Sequence, residues 1–288
     1  MDYLNPSALV DVDWLAAHLD APDVRVVDAT HHLPDSERDA VEEFGYRHIP
    51  GAVYFDIDDV CDSDSDLPHM LPSPEKFSSK VRKLGLGDGN RIVVYDTAGG
   101  FMAAARVWWM FRVYGHTDVS MLNGGLQAWT KAGHRVDDMK TLVHPRHFSA
   151  HVNTTMVREL DQVMRNLETK AAQVVDTRSE DRFVGSGEEP RPVKHVGRIP
   201  GSFNVPITRL MDARRGYAMR SADELKAAFV EAGVDLSKPI ITSCGSGVTA
   251  CVGALALHLL GHKQTSVYDG SWVEWGNRDD TPVETGTA

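Results

Sequence analysis

Cysteine is scarce in this chain: 288 residues carry three, Cys61, Cys244 and Cys251, with no framework spacing. A disulfide scaffold is thereby excluded, and the expectation is a reducing compartment with at least one thiol kept free for chemistry. Basic charge is short as well. Thirty lysines and arginines against 41 acidic residues leave a net charge of −11, a field that repels nucleic acid and anionic membrane, so neither is expected as a partner. An anionic substrate would have to be held by local arginines. No apolar run approaches the roughly 20 residues that span a bilayer. Residues Met1–Pro6 lack the basic stretch and apolar core of a signal peptide, and they are not Arg-rich and acid-poor as a transit peptide is. A cytoplasmic location is expected. The length suits two medium domains better than one.

The most telling residues are Cys244-Gly245-Ser246-Gly247-Val248-Thr249. The apolar run Pro239–Ser243 leads in as a buried strand, and the apolar stretch Ala250–Leu260 leads out as a helix. A cysteine is thus placed at the carboxyl end of a strand, in a tight loop before a helix N-terminus. Backbone N–H groups and the helix dipole favour a sulfur anion there. Two glycines and two hydroxyl residues suit a backbone-lined anion cradle.

The chain also repeats itself at an offset near 148. Val26-Val27-Asp28 matches Val174-Val175-Asp176, Ile49-Pro50-Gly51 matches Ile199-Pro200-Gly201, Gly115-His116 matches Gly261-His262, and Trp129 matches Trp275. Collinear matches of this kind mark a duplicated domain. The expected division is 5–137, a linker over 138–155, and 156–284. Each half alternates strands with helices, which implies an α/β fold: two tandem domains, each a mostly parallel sheet flanked by helices. Ser221–Glu224 reads as a capping box and Ser73-Pro74 as a helix start. Val248, Val252, Leu255 and Leu259 define one apolar face of the helix after the cysteine, with Gly261 ending it. In parallel sheets ligands bind beyond the carboxyl ends of the strands. Cys244 is at such an end, and so is its counterpart Asp96, which is no sulfur nucleophile. The second half is therefore expected to be catalytic and the first non-catalytic.

Phe44–Ala52, Val107–His116 and Tyr268–Trp275 carry a resemblance that covers nearly the whole chain. It resembles the two-domain rhodanese family of sulfurtransferases. Within that family the Cys-Gly-Ser-Gly-Val-Thr loop is similar to that of members acting on 3-mercaptopyruvate. Thiosulfate-preferring members usually place Arg and Lys where this chain has Gly245 and Ser246. The resemblance implies a persulfide on Cys244, stabilised by the loop amides of Gly245, Gly247, Val248 and Thr249, with transfer to a thiol or cyanide. It implies no metal and no organic cofactor. Arg182 and Arg191 are the candidates for a substrate carboxylate, since a guanidinium fork matches its edge. Ser246, His69 and Asp58 match a proposed proton relay. Arg198 departs from the histidine often found before Ile-Pro-Gly. Thioredoxin, a small thiol and cyanide all stand as acceptors.

Several other features carry less. Asp62–Asp66 begins like a calcium loop but lacks glycine at position six (Leu67) and glutamate at position twelve (Ser73). His144, His147 and His151 have no fourth ligand nearby. Cys251 reads as a packing residue, and Asp28 and Asp176 as loop holders. A cysteine phosphatase would need arginine where Ala250 stands. Thiosulfate sulfurtransferase, and a persulfide carrier without small-substrate turnover, are the remaining alternatives.

Overall fold

The structure is a computed structural model and describes residues 2–33, 36–98 and 103–287. The first half contributes β1 (Leu9–Val10), β2 (Val24–Asp28), β3 (Val53–Tyr54), β4 (Arg91–Tyr95) and β5 (Val119–Leu122). The second contributes β6 (Val157–Arg158), β7 (Gln173–Asp176), β8 (Phe203–Asn204), a small hairpin of β9 (Met211–Asp212) and β10 (Ala218–Met219), then β11 (Ile240–Ser243) and β12 (Thr265–Tyr268). The two five-stranded sheets run in the orders β1-β5-β4-β2-β3 and β6-β12-β11-β7-β8, the same order position for position. All neighbours in both are parallel. Even the register repeats: Val26 pairs with Val93 and, 148 residues on, Val174 pairs with Ile241.

Helices flank both sheets: α1 (Val12–His18), α2 (Ala40–Tyr46), α3 (Pro74–Lys83), α4 (Ala103–Val113) and α5 (Gly125–Lys131) in the first half, and α6 (Leu160–Thr169), α7 (Glu180–Val184), α8 (Ile207–Leu210), α9 (Ala222–Glu231), α10 (Ala250–Leu259) and α11 (Ser271–Trp275) in the second. The α/β expectation of tandem parallel sheets holds. Local signals account for the helix starts. Ser73 accepts from Lys76 N with Pro74 at the first turn, and Ser221 and Glu224 form both bonds of a capping box.

Strand side chains alternate between two cores, as a pleated sheet requires. Val26, Val93 and Tyr95 join Leu15 and Trp129 on the outer face of the first sheet. Val174, Ile241 and Tyr268 join Trp272 and Trp275 on the outer face of the second. The opposite faces, with Val27, Val94, Val175 and Val267, share one large core that also holds α4 and α10. This arrangement corrects the single apolar face expected of α10. Ala250, Val252, Ala254, Leu255, Ala256 and Leu257 are all buried, because one side of the helix meets its sheet and the other meets α4. The linker does not hang free either. Phe148 inserts among Phe77 and Phe111, and His151 N and Asn153 N donate to Tyr114 O and Val113 O, so the segment straps the first half.

Candidate active site

Cys244 follows the last residue of β11 and is 2% exposed, with its thiol unbridged. The loop that starts there is held from behind by α11. Trp272 N donates to Cys244 O at 3.0 Å and Val273 N to Gly245 O at 2.8 Å. Cys244 N donates to Ser271 Oγ at 3.2 Å. The carbonyls are thus tied down, whereas the five amides from Gly245 to Thr249 have no acceptor among the described residues. Consecutive unpaired N–H groups make an anion-binding concavity. Gly247 is needed for it: its φ is +75°, and a Cβ there would stand 2.5 Å from Asp269 O.

A cavity of about 110 Å³ opens over the thiol, lined by His69, Arg182, Arg191, Ser246 and Thr249 among others. Arg182 leans over Gly245, where any Cβ would come within 2.7 Å of its Nη2. Its guanidinium is not idle. Nε and Nη2 reach Glu189 Oε2 at 3.0 and 2.5 Å. The other Glu189 oxygen accepts from buried Arg178 at 2.6 Å, and Arg178 also grips Asp176. This chain of charges fixes where Arg182 points. Glu189 and Arg178 were not singled out in the sequence, although Glu189 is only two residues before Arg191.

Arg191 Nη2 donates to His69 Nε2 at 2.9 Å. His69 is buried in a left-handed backbone conformation, φ +61°. Its Nδ1 is 2.8 Å from Asp58 Oδ1, close but not in hydrogen-bond alignment. His69 is the main influence keeping the Asp58 carboxyl below its ordinary range. His31 Nδ1 is 3.5 Å from the other Asp58 oxygen, and burial, reinforced by His69, pushes His31 down. The structure therefore brings Asp58 and His69 together. It does not join Ser246 to them: the Ser246 hydroxyl has no hydrogen-bond partner among the described residues, and His69 Nε2 is occupied by Arg191.

Potential metal ligands converge not at the linker histidines but at His31, Asp58 and His69, whose ligand atoms lie within 4.8 Å of one another. A cation on His69 Nδ1 would need the ring proton on Nε2, directly against the donating Arg191. The donor set suits proton sharing better than a metal.

Arg106 of α4 was also missed. It is fully buried and crosses between the halves, donating to Asp269 Oδ1 at 2.5 Å, His69 O at 2.5 Å and Gly247 O at 3.2 Å. The available signal was an arginine inside an apolar run, since a buried charge demands partners. Arg198 has a structural role: it reaches Glu284 and Gly286 O and so pins the C-terminal segment. Asp28 and Asp176 hold loops, accepting from Thr30 N and Arg178 N.

The matching strand end of the first half carries its own anion. Asp96 occupies the position of Cys244, and Leu126 N donates to its carbonyl as Trp272 N does to that of Cys244. The Asp96 carboxylate accepts from Ala98 N at 2.9 Å and Ala104 N at 3.2 Å. An internal anion thus takes the amide of Ala98, whose counterpart in the second half, Ser246 N, has no acceptor among the described residues.

Comparison with known proteins agrees with this geometry. The family model described as a rhodanese-like domain matches twice, over residues 11–132 and 159–278. The chain is 42% identical over 273 residues to human 3-mercaptopyruvate sulfurtransferase, covering 93% of this chain and 91% of that one. It is 40% identical over 298 residues to the mitochondrial thiosulfate/3-mercaptopyruvate sulfurtransferase 1 of Arabidopsis thaliana, covering 96% and 78%. Among solved structures, that of SseA from Escherichia coli, described as showing the rhodanese fold and catalytic mechanism of 3-mercaptopyruvate sulfotransferases, superposes with a TM-score of 0.84 at 39% identity, over 92% of this chain and 98% of that one.

Proposed function

The chain belongs to the rhodanese-like family, and on that premise we propose that it is a sulfurtransferase that moves sulfur from 3-mercaptopyruvate to a thiol or cyanide acceptor through a persulfide on Cys244. The observation that carries this reading is the buried free thiol of Cys244 under a small cavity that also presents Arg182 and Arg191. The neutral Gly245 and Ser246 beside the thiol favour a donor whose charge is set away from its sulfur. Thiosulfate, a compact dianion, would gain more from adjacent cations.

The Cys244 thiolate attacks the sulfur of mercaptopyruvate. The carbon–sulfur bond breaks, its electron pair leaves with the pyruvate enolate, and a proton delivered to that enolate completes pyruvate. The outer sulfur of the persulfide is stabilised by the amides of Gly245, Ser246, Gly247, Val248 and Thr249. Arg182 and Arg191 hold the substrate carboxylate, with Arg182 kept in position by Glu189. His69, backed by Asp58, moves the proton once Arg191 turns from its ring to the substrate, and Ser246 is the hydroxyl that completes the relay in the loaded site. An acceptor thiolate then attacks the outer sulfur and restores Cys244. Thioredoxin, a small thiol or cyanide fits this step, which requires Cys244 reduced and so a compartment such as the cytoplasm. Residues 156–284 form the catalytic unit, 5–137 its non-catalytic partner, and 138–155 the strap between them. Among the described residues no helix is long and apolar enough to cross a membrane.

The test is steady-state sulfur transfer from 3-mercaptopyruvate and, separately, from thiosulfate, with wild type and Cys244→Ser. The expected outcome is a strong preference for mercaptopyruvate that disappears in the variant. A preference for thiosulfate would overturn the specificity assignment. Turnover with neither donor would leave only a persulfide carrier.

A further inference from the structure

A further feature lies on another side of the domain interface. A cleft of about 750 Å³ opens between the halves, near the C-terminal ends of α4 and α10. Ten residues of α10 put it roughly 15 Å along the helix from the Cys244 loop. The chain as a whole carries a net charge of −11, yet no aspartate or glutamate lines this cleft, whereas Arg112, Arg158, His258, His262 and Lys263 do.

Two of these groups are already satisfied. Arg158 donates to Thr155 O and Val157 O, and His262 is engaged at both ring nitrogens, by Thr265 Oγ1 and Lys238 O. Arg112 differs. Half-buried, it makes no hydrogen bond or ion pair among the described residues, and its Nε is shut away from solvent without an acceptor. Its guanidinium sits 5.1 Å from the Trp108 ring, and His258 is 5.5 Å from the same ring. Trp108 Nε1 is another buried donor lacking an acceptor. Burial alone pulls Arg112 below its usual range, with no carboxylate to offset it. Donors and positive charge are gathered here, and carboxylates are missing from the lining. Taking a guanidinium out of water without a counter-anion is unfavourable, and the natural compensation is a ligand rich in negatively charged oxygen.

We propose that this cleft is an anion-binding site, in which Arg112, His258 and Lys263 receive a carboxylate- or phosphate-bearing small molecule between the two halves. Because the ligand would touch α4 and α10 together, it would brace the interface that carries Arg106 and the Cys244 loop. The burial of His258 and the charge of Arg112 both keep that imidazole uncharged, so Arg112 and Lys263 supply the charge and His258 a neutral ring.

Inorganic phosphate and citrate, each against sodium chloride at matched ionic strength, serve as probes, read as the shift in Tm near pH 8. The expected result is a rise of several degrees with at least one probe. The shift should vanish in Arg112→Gln and persist in Arg191→Gln, which removes a cation from the Cys244 pocket instead. Which probe acts separates phosphate from carboxylate recognition. Without ligand, Arg112→Gln should melt no lower than wild type, since it removes an uncompensated charge. The proposal is overturned by a shift that chloride reproduces, by one that survives Arg112→Gln or is lost in Arg191→Gln, or by no shift with either probe. A lower unliganded Tm in Arg112→Gln would also overturn it, because the arginine would then be structural.

Discussion

Arg106 binds three acceptors from places far apart in the chain: Asp269, His69 O and Gly247 O. One guanidinium therefore sets the position of the imidazole and of the cradle loop. Replacing it with Arg106→Met leaves Asp269, itself 4% exposed, with Leu71 N alone among the described residues against its carboxylate. Breaking a buried pair from one side costs about 3–5 kcal/mol, and that loss should appear in urea unfolding. Sulfur transfer should fall mainly in kcat, because Arg182 and Arg191 remain in place. Arg106→Lys would restore charge but not the planar fork that reaches several acceptors, so it should recover stability only in part. Asp28 allows a test by pH. Burial pushes its carboxyl up to about 6 against the opposing pull of Thr30. The unfolded chain loses this proton near 4 and the folded chain only near 6, so wild-type stability declines across that window as pH rises. Asp28→Asn removes the dependence. Its stability relative to wild type should improve between pH 4 and pH 7 by up to roughly 3 kcal/mol; an unchanged difference across that range would contradict the assignment.

At the scale of elements, the two strand–loop–helix units β4–α4 and β11–α10 are one design used twice. In the first Ala98 N and Ala104 N close on Asp96, and in the second the amides of residues 245–249 stay open above Cys244. Asp96→Ala should therefore destabilise the protein by about 1–3 kcal/mol, the penalty of unpaired buried donors, while sulfur transfer at Cys244 persists. Loss of activity at full stability would show that the first-half loop acts in the reaction. This pairing was readable in the chain, because Ile92–Asp96 and Ile240–Cys244 align. Caps at Ser73 and Ser221 were readable for the same reason, being bonds among residues three apart. What remained hidden depends on residues far apart in sequence. The all-round burial of α10 comes from α4, almost 150 positions earlier. The Glu189–Arg178 pair that aims Arg182 shows only when β7 and the following loop are folded. The contact of Arg191 with His69, which occupies the ring nitrogen that the proposed relay would use, spans 122 residues.

The whole molecule is bound together by the core that α4 and α10 share. Each sheet has an outer core of its own, but neither half can keep its inner face dry alone. Trp108, Trp109 and Phe111 on one side and Ala250, Leu255 and Leu257 on the other belong to the same cluster. Apolar surface contributes about 25 cal/mol per Å² buried, so separating the halves would expose the apolar sides of α4 and α10 at a cost in stability. The N-terminal segment adds to the union, with Leu4 N donating to Leu259 O and Asn5 Nδ2 to His258 O. Unfolding should therefore be one transition rather than two. Calorimetry of the full chain should give a van't Hoff enthalpy close to the calorimetric one, despite two domains of identical strand order. Residues 156–284 expressed alone should bind a hydrophobic dye and melt well below the full chain, although every residue of the cradle and its nucleophile is present. Two separate transitions, or an isolated half as stable as the whole, would mean that the interface core contributes little, and that the first half is kept for His69, Asp58 and Arg106 alone.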